Sequence, residues 1–304
     1  MIDACGGLDK RRTANGGRLM KIFPSSAGIL NAIARIGAPS PHRGVRYGRG
    51  PRHILDVYPA VTHKPSPVIV FFYGGGWEEG ERGDYFFVGA ALAARGFTTV
   101  IPDYRVYPEV RFPGFIEDAA AALRWTMDHV AEFGGDHRRI IVMGHSAGAH
   151  IAAMLAFDRK WLAKVSLDAG IDLIAMIGLA GPYDFLPLHS ETLKEIFGPE
   201  ERLVTTQPIN FVEKGAPPAF LATGRNDRTV DPGNSIRLAE RIRLFGGEAS
   251  VKLYDRVNHR TLIGALARPL RFLAPVLDDV VGFAVEQSCR EALPHWTAAQ
   301  GRTA

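Results

Sequence analysis

The segment RRIIVMGHSAGAHIAAML, residues 138–155, decides the predicted fold. Residues typical of a buried strand lead into Gly-His-Ser-Ala-Gly, and a run of small residues typical of a helix follows at once. Gly144 and Gly148 suit such a turn, because a side chain at either position would collide with the neighbouring strand and helix backbone. Ser146 is therefore either a turn residue or a nucleophile that the turn holds exposed at the top of a sheet.

Strand-like and helix-like segments alternate along the rest of the chain. Buried strands are predicted at residues 66–75, 97–104, 173–181 and 216–224, edge strands at 44–48 and 53–60, and a last strand at 250–257. Helical patterns cover residues 85–96, 115–136 and 234–247, and a helix-like segment runs from 261 to 283. This alternation predicts an α/β fold with a mostly parallel central sheet and helices on both faces.

We expect one folded domain, because no linker divides the chain and no repeat recurs. The domain is predicted over residues 41–286, after a weakly structured N-terminal extension over 1–40 in which residues 19–34 form a short helix-like arm. Residues 287–304 have the composition of a polar tail. Residues 181–215 interrupt the alternation, and an insertion there is either a lid over the carboxyl edge of the sheet, where open α/β folds bind ligands, or a surface excursion.

The composition is that of an ordinary globular protein, with 46% hydrophobic and 22% charged residues among 304 and a net charge of +4. Lys and Arg are scattered rather than gathered into a basic stripe, so no nucleic-acid partner is expected. No apolar run approaches the roughly 18 residues that a membrane span needs. Cys5 and Cys289 form neither a metal-ligand spacing nor a disulfide framework, which fits a reducing compartment. We expect a cytoplasmic protein without a metal site, and the sequence is compatible with a homodimer.

A serine nucleophile needs an adjacent base, and the base needs a carboxylate to orient it. The segment FLATGRNDRTVDPGNS presents Asp227 in the loop beyond a buried strand, and VKLYDRVNHRTL presents His259 beyond the last strand. Both loops leave the carboxyl ends of strands, so Asp227 and His259 are predicted on the same rim as Ser146. Asp231 lies in the same loop as Asp227, but it precedes a proline and a helix and is assigned a capping role.

Other ionisable residues near these motifs are weaker candidates. Asp255 is expected to end the last strand, and Asp184 lies at the start of the 181–215 insertion. His145 should point away from the serine beside it, and His150 falls on the following helix, where it is packed or solvated.

The glycine loop FFYGGGW, residues 71–77, follows a buried strand. Glycines there would let the N–H groups of Gly74 and Gly75 approach a substrate oxygen, and the N–H of Ala147 is the usual partner donor. A phosphate-binding role is disfavoured, because no Gly-Lys-Ser/Thr follows and the GxGxxG spacing is absent. The loop is therefore the candidate oxyanion hole.

Aromatic residues near the predicted rim either shape a substrate pocket or belong to the core. They are Trp77, Phe86, Phe87 and Tyr183, of which Trp77 and Tyr183 are taken as the pocket candidates. Asp103, Tyr104 and Arg105 follow another strand and are expected to hold the scaffold near the glycine loop.

The motifs together resemble those of the α/β-hydrolase carboxylesterases, within them the hormone-sensitive-lipase-like and feruloyl-esterase-like (BD-FAE) group. The matching stretches lie between residues 44 and 272: FFYGGGWEEGER, VIPDYRVYPEVRFPGFIEDAAAALRW, FGGDHRRIIVMGHSAGAHIAAM, GLAGPYDF, ATGRNDRTV and NHRTL. DYRVYP, FGGD and GHSAGAH are also similar to plant prenylcysteine methylesterases and arylformamidases. Tyr73 departs from the pattern of many relatives, whose glycine loop begins with histidine, and Gly76 stands where the arylformamidase-like branch has an aromatic residue.

The resemblance implies a serine-dependent carboxylic ester hydrolase with Ser146, Asp227 and His259 as its triad and no cofactor. Its partner would be a small-molecule ester with a short acyl or aryl group, hydrolysed through an acyl-enzyme. An arylformamidase or small amide hydrolase that uses the same triad is the alternative. A non-catalytic α/β-hydrolase fold that binds a small molecule or partner is the third hypothesis.

Overall fold

A computed structural model of the chain describes residues 26–36, 38, 40–61 and 65–292. Residues 1–25, with Cys5, and the end of the predicted tail beyond residue 292 lie outside the described residues. The described residues form an eight-stranded sheet. Its strands are β1 (His42–Arg46), β2 (Ile54–Tyr58), β3 (Ser66–Phe72), β4 (Thr98–Pro102), β5 (Gly135–His145), β6 (Ala175–Leu179), β7 (Ala219–Gly224) and β8 (Ala249–Tyr254).

The sheet is mostly parallel, as the alternating pattern predicted. The strand order is β1-β2-β4-β3-β5-β6-β7-β8, and the β1–β2 and β2–β4 pairs are antiparallel. The pairs from β4 through β3 to β8 are all parallel, with Val70 of β3 beside Val142 of β5. The carboxyl ends of β3, β5, β7 and β8 therefore meet at one edge of the sheet.

Helices connect and cover these strands. They are α1 (Ser26–Ala34), α2 (Phe86–Ala93), α3 (Gly114–His129), α4 (Ala147–Phe157), α5 (Lys160–Ala163), α6 (Ala169–Asp172), α7 (Glu191–Phe197), α8 (Gly233–Leu244), α9 (His259–Gly264) and α10 (Val276–Ala292). Strands β4, β6 and β7 are buried along their whole length, whereas the edge strand β1 is mostly exposed. Burial of this kind is typical of central strands covered on both faces, so the predicted α/β architecture is confirmed.

The C-terminal part differs from the prediction in two respects. The helix-like segment 261–283 is divided into α9, a 3₁₀ helix over Arg268–Leu273, and α10. Pro269 and Pro275 account for the breaks, because a proline lacks the N–H of a helix interior and disfavours helix in the residue before it. The polar tail does not begin at Gln287, since α10 continues to Ala292 with Gln287 and Ser288 buried.

The 181–215 segment contains α7 and two 3₁₀ helices, Glu200–Thr206 and Pro208–Phe211. Two side-chain amides fix its start: Asn234 accepts hydrogen bonds from the N–H groups of Tyr183 and Asp184, and Gln207 accepts one from the N–H of Phe185. The segment is thus bound to α8 and to itself by buried polar groups. In the part of the chain that the structure describes, no helix has the length and apolarity needed to cross a membrane.

Candidate active site

Ser146 lies at the sharp turn between β5 and α4. Its backbone has φ 56° and ψ −123°, a conformation that residues with a side chain rarely adopt. The turn is held by the Ser146 N–H, which donates to the carbonyl of Leu179 at 2.9 Å. Gly148 is required beside it, because a Cβ atom there would lie 2.0 Å from the carbonyl oxygen of Phe72 in β3.

This close approach makes Gly148→Ala a test of the turn. The methyl group meets backbone rather than a flexible side chain, so the free energy of unfolding should fall by at least about 3 kcal/mol. Gly282→Ala is the matched control, because Gly282 is an exposed position of α10 with no atom within 4 Å of its Cβ site. The control should gain about 0.5–1 kcal/mol. Urea unfolding of both variants measures the difference, and equal stabilities would contradict the close-packed turn.

Three side chains from distant parts of the chain meet at the sheet edge. His259 Nε2 lies 2.8 Å from Ser146 Oγ, and His259 Nδ1 lies 2.8 Å from Asp227 Oδ2. His259 is the first residue of α9, whose N-terminus is capped by Asn258 through bonds from the N–H groups of Arg260 and Thr261. The imidazole thus stands between the hydroxyl and the carboxylate, which is the arrangement of an activated nucleophile.

Asp227 is held as a carboxylate by its loop. Its Oδ1 accepts hydrogen bonds from the N–H groups of Thr229 and Val230, which leaves Oδ2 for His259. Burial by itself raises the pKa of Asp227, but the hydrogen bonds from His259 and from these two N–H groups outweigh it and lower the pKa below its usual value. The Asp227 and His259 loops approach so closely that a Cβ at Gly224 would lie 2.2 Å from the carbonyl oxygen of Val257.

The competing acids have other partners. Asp231 accepts the N–H of Gly233, the first residue of α8, at 3.0 Å, although the N-cap position of that helix is taken by Pro232. Asp184 pairs with Arg237 at 2.6 Å, and Asp255 pairs with Arg225 at 2.7 Å at the surface. Among the described residues, no group of three or more His, Cys, Asp or Glu side chains has the arrangement of a metal site.

The glycine loop after β3 faces Ser146. A Cβ at Gly74 would lie 3.1 Å from Ser146 Cβ, and the carbonyl of Gly75 accepts the N–H groups of Glu78 and Glu79, which fixes the turn. Burial raises the pKa of the Tyr85 phenol to about 12, and a hydrogen bond from the Gly74 backbone opposes that rise. The N–H groups of Gly75 and Ala147 have no partner among the hydrogen bonds of the described residues.

Tyr73 takes the position at which many relatives have histidine, and it supports the loop. Its hydroxyl donates to Asp103 at 2.9 Å and accepts from Arg52 at 3.0 Å, while its carbonyl accepts the hydroxyl of Tyr104 at 2.7 Å. Arg52 also donates to the Gly80 carbonyl at 2.6 Å. The scaffold role expected of Asp103 and Tyr104 is thus what their contacts provide. Arg52 was missed, because its sequence position between two edge strands carries no signal of this contact.

Trp77 and Tyr183, expected to line a substrate pocket, lie in the core instead. Trp77 is 4% exposed and Tyr183 is fully buried. The Trp77 ring packs on His150, Phe185 and Phe197, at centroid distances of 5.2, 5.9 and 4.8 Å. The last two partners belong to the 181–215 segment, which covers Trp77. The sequence does not reveal which aromatic residues that segment covers.

Two histidines, one directly before Ser146 and one in α4, are held neutral by burial. His145 donates from Nε2 to the carbonyl of His259 at 3.0 Å, and His150 donates from Nε2 to the carbonyl of Thr206 at 2.8 Å. Burial lowers the pKa of His145 to about 3 and that of His150 to about 4. His145 therefore ties the turn at Ser146 to the backbone of the predicted base, and His150 ties α4 to the 181–215 segment.

The buried His150 predicts a pH dependence of stability. The folded protein keeps it neutral, whereas the unfolded chain protonates it below about pH 6.5, so its contribution is present above pH 6.5 and is lost as the pH falls towards 4. Between pH 6.5 and 5 the free energy of unfolding should drop by about 1–2 kcal/mol because of this one residue. His150→Gln keeps a donor for Thr206 but cannot titrate, so urea titrations should show a smaller drop. The exposed His137→Gln control should leave the drop unchanged. A His150→Gln variant whose free energy of unfolding falls with pH as steeply as the parent's would contradict the prediction.

A cavity of about 480 Å³ adjoins the candidate active site. Gly74, Gly75 and His145 form one wall, residues of α9 form another, and Ala27 and Leu30 of α1 form a third. Its size is that of a small-molecule site. The N-terminal extension thus contributes to the site, although the sequence predicted only a weakly structured arm there.

One buried side chain fixes α1 in this position. Asn31 is 6% exposed, donates to the carbonyls of Gly83 and Asp84, and accepts the N–H of Phe87 at 3.0 Å. Helix α1 is therefore bound to the segment that follows the glycine loop.

Known proteins share this sequence and this architecture. The chain is 31% identical to a probable isoprenylcysteine alpha-carbonyl methylesterase of Arabidopsis thaliana, over 80% of this chain and 56% of that protein. It is 31% identical to the esterase LipC of Mycobacterium tuberculosis, over 66% of this chain and 55% of that protein. The chain spans little more than half the length of these relatives.

A solved structure of Thermogutta terrifontis esterase 2, in its apo form, is similar with a TM-score of 0.66 and 26% identity, over 82% of this chain and 94% of that one. Structures of the same esterase with bound butyrate and after phosphorylation by paraoxon match equally well, with TM-scores of 0.66 and 0.67.

The chain also matches a protein-family model. The model of the family described as BD-FAE matches residues 55–242, well over half of the chain. The match runs from β2 into α8 and includes Ser146 and Asp227, while His259 lies beyond it. It confirms the resemblance drawn from the motifs. The chain belongs to the BD-FAE family and has the α/β-hydrolase fold.

Proposed function

We propose that this protein hydrolyses carboxylic esters through an acyl-enzyme on Ser146. The observation that carries the proposal is the pair of 2.8 Å contacts that place His259 between Ser146 Oγ and Asp227 Oδ2. The names of the relatives, an esterase and a methylesterase, support ester chemistry. No metal or organic cofactor is needed for this route.

The first half of the reaction acylates the serine. His259 Nε2 accepts the proton of Ser146 Oγ as the oxygen forms a bond to the ester carbonyl carbon. The carbonyl electron pair moves to oxygen, where the N–H groups of Gly74, Gly75 and Ala147 are the proposed donors. The carbon–oxygen bond to the alcohol then breaks, and the alcohol leaves with the proton that His259 returns to it.

The second half of the reaction releases the acyl group and regenerates the free serine. His259 takes a proton from water, whose oxygen attacks the acyl carbon, and Ser146 Oγ leaves with that proton as the carboxylic acid is released. Asp227 stays ionised throughout, consistent with its lowered pKa, and stabilises the imidazolium. The Asp227 carboxylate also accepts the hydrogen bond from Nδ1 of His259, which fixes the tautomer in which Nε2 is free to accept a proton.

The proposed substrates carry a short acyl or an aryl group. Butyrate bound to Thermogutta terrifontis esterase 2 supports a short acyl group, and the paraoxon adduct of that protein supports covalent trapping of a nucleophile by an organophosphate. The remaining alternative is formamide or amide hydrolysis by the same three side chains.

Turnover of p-nitrophenyl acetate and butyrate tests the proposal, with N-formylkynurenine as the competing substrate at matched concentration. Higher kcat/KM on the esters supports ester hydrolysis, and higher kcat/KM on N-formylkynurenine supports the amide alternative. Tight ligand binding without turnover of either and without labelling by a fluorophosphonate probe would instead indicate a non-catalytic protein.

A further inference from the structure

Resting on the proposed ester hydrolysis, we propose that the substrate is an ester of an elongated apolar alcohol, whose chain runs between α1 and α2. The sequence motifs assign only the reacting end of the substrate. At the other end of the substrate, Leu30 and Phe87 border the path of the alcohol chain.

The inner part of this path is the 480 Å³ cavity beside Gly74, Gly75 and His145. Polar side chains are present on its wall, namely Glu79, Asp84 and Arg260, together with apolar Leu30, Phe87 and Ile263. A mixed wall of this kind suits the region next to an ester group, where oxygen atoms need partners.

The outer part is a second cavity of about 380 Å³, which shares Leu30 and Phe87 with the first. Apart from Arg268 and Arg271, its wall is apolar and is formed by α1, the alanine-rich side of α2 and the start of the 266–271 segment. The two cavities share the side chains of Leu30 and Phe87 on their walls, so they lie side by side along α1, the first of them beside the candidate active site. We refer to the pair as the α1 groove.

The chemistry of the leaving group selects the alcohol as the occupant. His259 must return its proton to the alcohol oxygen, so that oxygen has to come within hydrogen-bond reach of Nε2. The α1 groove begins beside the residues that directly follow His259, since Arg260, Ile263 and Gly264 line its inner cavity. A chain attached to the alcohol oxygen is therefore next to the opening of the groove. A long acyl chain would be attached on the other side of the carbonyl carbon.

Two isomeric esters separate these possibilities: decyl acetate, which has a long alcohol, and methyl undecanoate, which has a long acyl chain and the methyl group named for the plant relative. Below their critical micelle concentrations, kcat/KM should rise from ethyl to decyl acetate by about fourfold for each methylene buried in the groove. Methyl undecanoate should show no comparable gain over methyl acetate.

Variants of opposite walls test the position of the chain. Leu30→Trp fills the groove from α1, and Gly264→Val fills it from α9, where a Cβ would lie 3.0 Å from Leu270 Cδ1 and 4.0 Å from Leu30 Cδ1. Each should lower the ratio of kcat/KM for decyl over ethyl acetate by about tenfold or more, since two methylenes kept out of the groove forfeit about fourfold each. Ile29→Trp, on the exposed side of α1, is the matched control and should leave the ratio unchanged. Thermal melting checks that each variant folds.

The results of these experiments distinguish a failure of the alcohol assignment from a failure of the proposed ester hydrolysis. A ratio that is unaffected by both filling variants, or a loss confined to methyl undecanoate, overturns the alcohol assignment while ester hydrolysis stands. No hydrolysis of any ester, or equal hydrolysis by a Ser146→Ala variant, overturns the proposed function itself.

Discussion

Ser146→Ala should hydrolyse p-nitrophenyl butyrate with a kcat about 10⁵- to 10⁶-fold below that of the parent chain. The estimate follows from serine hydrolases in which removing the nucleophile alone costs about as much as removing the whole triad. The remaining hydrogen-bond donors and the binding site would leave a small rate above that in water. The substitution removes one hydroxyl oxygen from a turn whose backbone is held by the Leu179 carbonyl, so folding should survive.

Ser166→Ala is the matched control for this experiment. Ser166 is also a serine with positive φ, 58° against 56° for Ser146, but it is exposed and remote from His259. It should retain parent activity and parent labelling by a fluorophosphonate probe, whereas Ser146→Ala should lose both. Retained activity together with retained labelling in Ser146→Ala would exclude Ser146 as the nucleophile.

Asp227→Asn should lower kcat by about 10⁴-fold, because it reverses the tautomer of the imidazole. The amide oxygen would keep the position of Oδ1, which accepts the N–H groups of Thr229 and Val230. The amide nitrogen would then face His259 Nδ1 and donate to it. His259 would carry its proton on Nε2, where it can no longer accept the proton of Ser146.

Asp231→Asn in the same loop is the control, and it should change kcat less than about twofold, since an amide oxygen can still accept the N–H of Gly233. The esterase assay on both variants decides between the two acids. A large loss in Asp231→Asn with little change in Asp227→Asn would contradict the assignment. The resonance of the His259 Nδ1 proton is a second readout, because it should be lost only in Asp227→Asn, where Nδ1 accepts a hydrogen bond and carries no proton.

Short-range patterns in the sequence predicted most of the sheet and the turn at Ser146. A buried strand needs a continuous apolar run, and a strand-to-helix turn with a close backbone contact needs glycine, so both leave local signals. The alternation of strands and helices then predicted the loops of Asp227 and His259 at the same edge as Ser146, because the carboxyl ends of parallel strands lie on one side of a sheet. The preference for Asp227 over Asp231 also came from the local sequence, since a carboxylate directly before Pro232 and a helical pattern is typical of a capping residue.

Long-range packing decided what the patterns could not. Aromatic residues such as Trp77 and Tyr183 are typical of substrate pockets, but the partners that bury Trp77 lie more than a hundred residues further along the chain. Arg52 holds Tyr73 and the Gly80 carbonyl from a segment without any motif. The helical arm α1 becomes a wall of the candidate site only through the contacts of Asn31 with the segment after the glycine loop.

The amino-acid sequence by itself therefore determined the α/β class, the strand-to-helix turn at Ser146 and the rim on which Asp227 and His259 lie, because periodicity and turn chemistry act over a few neighbouring residues. Only the tertiary structure decided the 2.8 Å distances around the imidazole, the burial of the aromatic residues and the groove along α1. Those features depend on side chains that are far apart in sequence and that meet only when the core excludes water.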